Sequence, residues 1–104
     1  MTKFLIAFHG GKRPETREAG MAHMQAWNKW LDDMGDAALD RGLYVGMSKT
    51  VSQDGVADNG GANPINGIMT MQAADEATAL ALCALCPHIT SMGGTMQIAP
   101  IMEM

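Results

Sequence analysis

Three histidines and two cysteines carry most of the proton-transfer and nucleophilic capacity that this sequence offers near neutral pH. His23 lies at the N-terminal edge of a stripe running through Trp27, Trp30, Leu31 and Met34 at helical spacing, so its ring should lean inward rather than into water. An imidazole so placed can give or take a proton at physiological pH. The plainer reading is a half-buried histidine bonded to a main-chain carbonyl. Cys86 and His88 flank Pro87, and they meet His23 if the first helix lies beside that turn. A Cys–His pair is suited to nucleophilic chemistry. Against it, Cys83 and Cys86 fall at the C-terminal end of a predicted helix, where the helix dipole disfavours a thiolate. Cys83, Cys86 and His88 make three metal ligands where a structural zinc site takes four, so no metal is expected. His9 closes the first predicted strand, a position that suits either a site residue or an exposed loop histidine. The reading is therefore His23 and His88 as catalytic residues, with His9, Trp27 and Cys86 around the ligand pocket.

Four strands and two helices have to position them. Lys3 to Phe8 is an apolar run closed by His9-Gly10-Gly11 and predicts a buried strand. From Pro14 to Asp40 the period becomes helical, with Asn28, Lys29, Asp32 and Asp33 opposite the tryptophan stripe, and Gly42 is the expected stop. Leu43, Val45 and Met47 alternate with Tyr44, Gly46 and Ser48 as a second strand. Ser52 to Pro64, dense in Gly, Asp and Asn, predicts a mobile loop suited to a lid or an interface arm. Ile65 to Met71 predicts a third strand. Asp75-Glu76 open a second helix whose buried face is expected to be Ala77, Leu80, Ala81, Ala84 and Leu85. Pro87 ends that helix, and Thr95 to Ile101 supplies the fourth strand. The order βαββαβ predicts an α+β, ferredoxin-like domain over residues 1–104: an antiparallel sheet with both helices on one face. The bare face then binds a ligand or pairs with a second subunit, and the homodimer is the expectation for so small a core.

Composition narrows the partners. The chain has 104 residues, 47% apolar and 17% charged, with a formal charge of −4 and only 7 basic residues, spread thinly. A nucleic-acid surface needs a concentrated basic footprint, so none is expected. No apolar run approaches a bilayer span, and Met1 to Phe8 is too short for a secretory signal, which predicts a cytoplasmic protein without a membrane partner. The neighbouring cysteines read as free thiols, and the 11 methionines as adaptable core packing rather than soft-metal ligands.

Ile65-Asn66-Gly67-Ile68-Met69, Ala74-Asp75-Glu76-Ala77, Cys86-Pro87-His88 and Gly93 to Ile101 resemble, in order and spacing, the YCII-related (DGPF-type) family. Lys3-Phe4-Leu5-Ile6 resembles that family's opening strand, and Ala22-His23-Met24 the start of its first helix. The resemblance implies a dimeric α/β barrel of ferredoxin-like subunits, each with a cleft. In one branch it implies a catalytic pair of a histidine near the start of helix one and an aspartate before a proline after helix two. His23 matches the histidine, and Cys86 stands at the aspartate position. Of the other branch's Asp-Gly-Pro-Phe signature only Asp54-Gly55 and Asn63-Pro64 echo. The functional expectation is a small cofactor-independent enzyme doing general acid–base chemistry on a small organic metabolite. The alternatives are a non-catalytic dimeric ligand-binding or regulatory module and the cofactor-free oxygenase chemistry of related barrels.

Overall fold

The centre of the molecule is β1 (Thr2–His9), whose Phe4, Ile6 and Phe8 alternate into the core because successive strand side chains point to opposite faces. In the computed structural model, which describes residues 1–103, β1 is hydrogen-bonded antiparallel on both sides. One neighbour is β5 (Ile65–Ala73), with Phe4 opposite Met71 and Ile6 opposite Met69, and the other is β6 (Thr95–Pro100), with Ile6 opposite Ile98. A short β2 (Leu43–Tyr44) pairs with the outer edge of β5, giving the sheet order β2-β5-β1-β6. Gly67 makes that edge pairing possible, since a Cβ there would stand 2.7 Å from the Leu43 carbonyl oxygen.

The 18-residue α1 (Arg17–Met34) lays Trp27, Trp30, Leu31 and Met34 on the face of the sheet that carries Phe4, Ile6 and Phe8, as their spacing predicts. Thr16 caps it by accepting from the Ala19 amide at 3.0 Å. The helix ends earlier than predicted. Gly35 takes a φ of +56° and directs its amide back to the Leu31 and Asp32 carbonyls, after which a 3₁₀ turn (Gly35–Ala37) and the bridge from Ala38 to Met71 return the chain to the sheet.

The second helix, α2 (Glu76–Ala84), is capped by Asp75, whose carboxyl accepts from the Thr78 amide at 2.8 Å and is thereby held below its ordinary pKa. Its buried face differs from the predicted one. Ala79 and Cys83 are buried and Leu82 is half-buried, while Ala77, Ala81 and Ala84 are exposed and Leu80 and Leu85 stay 47% and 66% exposed. A helix composed mainly of alanine and leucine has no polar face to fix its rotation. The small Ala79 and Cys83 allow close approach to the sheet, with the Cys83 thiol 3.7 Å from the Met71 sulfur, and the Trp30 indole N–H donates to the Leu82 carbonyl at 2.9 Å. The helix stops ahead of Pro87, as expected, with Cys86 in an extended conformation, and Pro87 then starts a new turn. It stands at the first position of a separate short α3 (Pro87–Thr90), where its missing N–H costs nothing.

The remaining departure lies between β2 and β5. The second predicted strand stops at Tyr44, and a hairpin, β3 (Thr50–Ser52) and β4 (Gly55–Ala57), with Val51 opposite Val56, runs into the predicted loop. Its ends are held by the Lys49–Asp58 ion pair and by the Thr50 hydroxyl, which donates to the Asn59 carbonyl at 2.8 Å. Both valines remain exposed, at 78% and 67%. The far side of the main sheet is likewise uncovered: Leu5 is 43% exposed, beside Thr70 on one neighbouring strand and Ala99 on the other. The chain is thus α+β, with an antiparallel sheet and helices on the Phe4–Ile6–Phe8 face, and no described helix is long and apolar enough to cross a membrane.

The rotation of α2 is open to a direct check. Ala79→Leu should overpack the interface and cost about 1–3 kcal/mol, whereas Leu80→Ala should stay within about 0.5 kcal/mol of the parent. Urea unfolding midpoints at constant m-value measure both, and the reverse ranking would restore the predicted face.

Candidate functional site

At the end of β1 the register shifts between Phe8 and His9, a bulge that turns the His9 ring away from the alternation. His9 is only 7% exposed and both ring nitrogens are engaged. Nδ1 lies 3.0 Å from the Asn63 carbonyl and 3.2 Å from that of Pro64, and Nε2 pairs with the Gln97 side-chain amide at 3.1 Å. This ring therefore fastens the segment 62–64 to the sheet. Gly10 and Gly11 follow with φ of +64° and +90°, turning the chain so that the Lys12 amide donates to the Met92 carbonyl at 2.8 Å. The Asn66 side chain donates to the Gly10 carbonyl at 2.7 Å.

His88, on α3, faces this turn. Its Nε2 lies 2.9 Å from the His9 carbonyl and 3.2 Å from the Thr95 carbonyl. Carbonyls only accept, so Nε2 carries the proton, and in the neutral ring the lone pair is on Nδ1. The ring is held from three sides. Its edge meets Phe8 at 5.5 Å between centroids, a Cβ on Gly94 would overlap it, and a Cβ on Gly11 would come within 3.0 Å of Cε1. Two glycines thus make the seat of one imidazole.

His23 approaches from α1. Its ring is 5.9 Å from Trp27, which is 5.3 Å from Phe8, so an aromatic chain joins the two histidines: His23, Trp27, Phe8, His88. His23 Nδ1 is buried with no partner among the described residues. An orphaned N–H is costlier than an orphaned lone pair, which assigns the neutral ring's proton to Nε2. Burial, and then the neighbouring His88 charge, push its pKa below the ordinary 6.5.

Both rings open into a single cleft of about 520 Å³, within the range of small-molecule sites. Lys12, Arg13, Tyr44 and Asn63 also line it. The structure brings together His23 and His88, the two residues read from sequence as catalytic. It sets the other three apart. Trp27 lies behind His23, 7% exposed; His9 supports the wall from outside; and Cys86 is wholly buried, so it does not line the cleft. Burial pushes the Cys83 thiol up to about 11 and that of Cys86 to about 12, leaving neither as a nucleophile at neutral pH. Among the described residues no three His, Cys, Asp or Glu side chains converge to hold a metal ion. Sequence reading missed Gly11, Gly94, Lys12 and Arg13. The pairs Gly10-Gly11 and Gly93-Gly94 were the available signal, since glycine doublets at strand ends mark close backbone approach.

No family model matches the sequence, and no curated protein matches it. The reading of the cleft therefore stands on its geometry.

Two outcomes test that geometry. Gly94→Ala should cost about 1–3 kcal/mol by overpacking and should move the His88 ring resonances, while Gly46→Ala, with nothing within 4 Å of its Cβ position, should do neither. Because burial favours the neutral ring, the unfolded chain binds a proton at His23 more readily than the folded one. The stability this residue carries is complete above 6.5 and is lost as pH falls through the lower folded value. A ring titration by NMR should give a His23 midpoint under 6.5, and His23→Gln should flatten the pH dependence of the unfolding midpoint below that pH; a midpoint at or above 6.5 contradicts the placement.

Proposed function

We propose that this protein is a small cofactor-independent enzyme that moves a proton on a carbon next to a carbonyl group, working in the cleft between His23 and His88. One observation carries the reading: two imidazoles line the same cavity, and with the proton on Nε2 in both, His88 spends its N–H on main-chain carbonyls and keeps the Nδ1 lone pair free, while His23 has its Nδ1 enclosed and keeps the Nε2 N–H free. His88 Nδ1 takes the proton from carbon, and the C–H electron pair becomes the new C=C bond. The charge gathers on the carbonyl oxygen, where the His23 N–H donates to it. Return of the proton to the same carbon is exchange, and return to the next position is isomerisation. His23 acts best as a neutral donor, and its lowered pKa keeps it neutral. The His9 and Thr95 carbonyls hold the His88 imidazolium formed midway.

The strand order β2-β5-β1-β6, with β3–β4 as an insertion, supports a ferredoxin-like assignment and with it the YCII-related family resemblance. The uncovered sheet face, with Leu5, Ala7 and Ile68 adjacent on it, favours a homodimer of the α/β-barrel kind. Sedimentation velocity should then show a pair, and Leu5→Glu a single chain; a wild-type monomer at micromolar concentration would remove the dimer from the proposal. A rival reading, a dimeric ligand-binding module with structural histidines, draws on the use of His88 Nε2 in two main-chain contacts.

Deuterium exchange separates the two, because it reports proton abstraction whatever the final product. With small ketones and lactones in deuterium oxide, NMR should show exchange next to the carbonyl, reduced about 10²–10⁴-fold in His88→Ala and about 10²–10³-fold in His23→Ala. A wild-type rate no greater than that of the doubly substituted protein favours the binding module.

A further inference from the structure

The cleft has a charge opposite to that of the molecule. The chain is acidic overall, with 11 Asp and Glu against 7 Lys and Arg. Yet no Asp or Glu lines the cleft, whereas Lys12 and Arg13 both do. The three ion pairs among the described residues use Lys29, Arg41 and Lys49, so Lys12 and Arg13 face no carboxylate partner. The turn that carries them is held without salt bridges, by the positive-φ Gly10-Gly11 pair, the Lys12 amide on the Met92 carbonyl and the Asn66 side chain on the Gly10 carbonyl. Concentrating two unpaired cations in a concave site is unfavourable in the empty protein and becomes favourable when an anion enters. Val45, Pro64, Met92 and the Tyr44 ring add apolar lining to the same cleft.

We infer that the cleft binds a small organic anion, its negatively charged oxygens on Lys12 and Arg13 and its apolar body on the Tyr44–Val45–Pro64 wall. The inference deepens the preceding reading by naming the ligand class of that cleft, but it does not need the histidines to be catalytic. Arg13 offers the planar fork that fits two oxygens at once, a geometry shared by carboxylate and phosphate. Lys12 adds a point charge. An anion bound there leaves its uncharged part free to reach toward His23 and His88, which line the same cavity.

Equilibrium binding of three probes tests this: benzoate, its uncharged counterpart benzamide, and inorganic phosphate, followed by the amide resonances of residues 10–13. Benzoate should bind about tenfold or more tightly than benzamide, and Lys12→Gln and Arg13→Gln should each weaken it about tenfold, as expected for loss of a hydrogen bond to a charged group. Added salt should weaken it further. Both side chains are exposed, so folding is unaffected, and Lys49→Gln, whose partner is Asp58 beside the hairpin, should leave binding unchanged. Phosphate binding with the same dependence on Lys12 and Arg13, and tighter than benzoate, would assign the site to phosphate-bearing anions. Equal binding of benzoate and benzamide overturns the inference, as does a loss in Lys49→Gln matching that in Arg13→Gln, or the absence of any response to either anion at about 50 mM, a concentration at which a site of about 1 mM affinity is filled. If anions bind as described while deuterium exchange is absent, the ligand class stands and the catalytic reading fails.

Discussion

The carbonyl of His9 is the point on which the cleft depends. It accepts from the His88 ring, and that contact fixes the ring's tautomer as well as its place. The carbonyl can serve because the β1–β5 register shifts one residue before it, and because the His9 side chain is tied to Asn63, Pro64 and Gln97 instead of being free to move. The same residue thus anchors one wall through its ring and the proton-accepting group through its backbone. Phe8, its neighbour, starts the aromatic chain to His23. The central strand therefore sets the positions of all the parts, although none of its side chains lines the cavity.

Environment, rather than residue type, decides which groups are chemically available. Cys86 lies two residues from His88 and reads, from the chain alone, as its partner. Its sulfur is sealed in the core, where burial opposes the thiolate. His23, equally close to a hydrophobic stripe, keeps one ring nitrogen open to the cleft and has the other enclosed. Desolvation makes Cys86 inert, whereas at His23 it maintains the uncharged ring that a hydrogen-bond donor needs.

How much of this was legible in the sequence follows the strength of each local signal. The stripe from His23 to Met34 is amphipathic, so its inward face is recoverable from spacing alone. The α2 rotation is not recoverable, because alanines and leucines surround the helix and only the fit of Ala79 and Cys83 against Met71 selects one face. Gly35 ends α1 through a left-handed turn, and a glycine inside an apparently continuous period gives weak notice of that. The hairpin was hidden because Ser52 to Pro64 is dense in Gly, Asp and Asn and its strands are three residues each, and its two valines have no core to face. His88 was visible as a candidate, but its partner carbonyl lies 79 residues away and has no side-chain signature.

The β3–β4 hairpin stands apart from the packed layers, held by its own ladder, one ion pair and the hydroxyls of Thr50 and Ser52. Such a segment opens and closes without disturbing the sheet beneath it. Its tip at Gln53–Asp54 is consequently a natural port in the chain, where a foreign loop, an affinity handle or a protease cut can be accommodated while the four-stranded sheet retains its register.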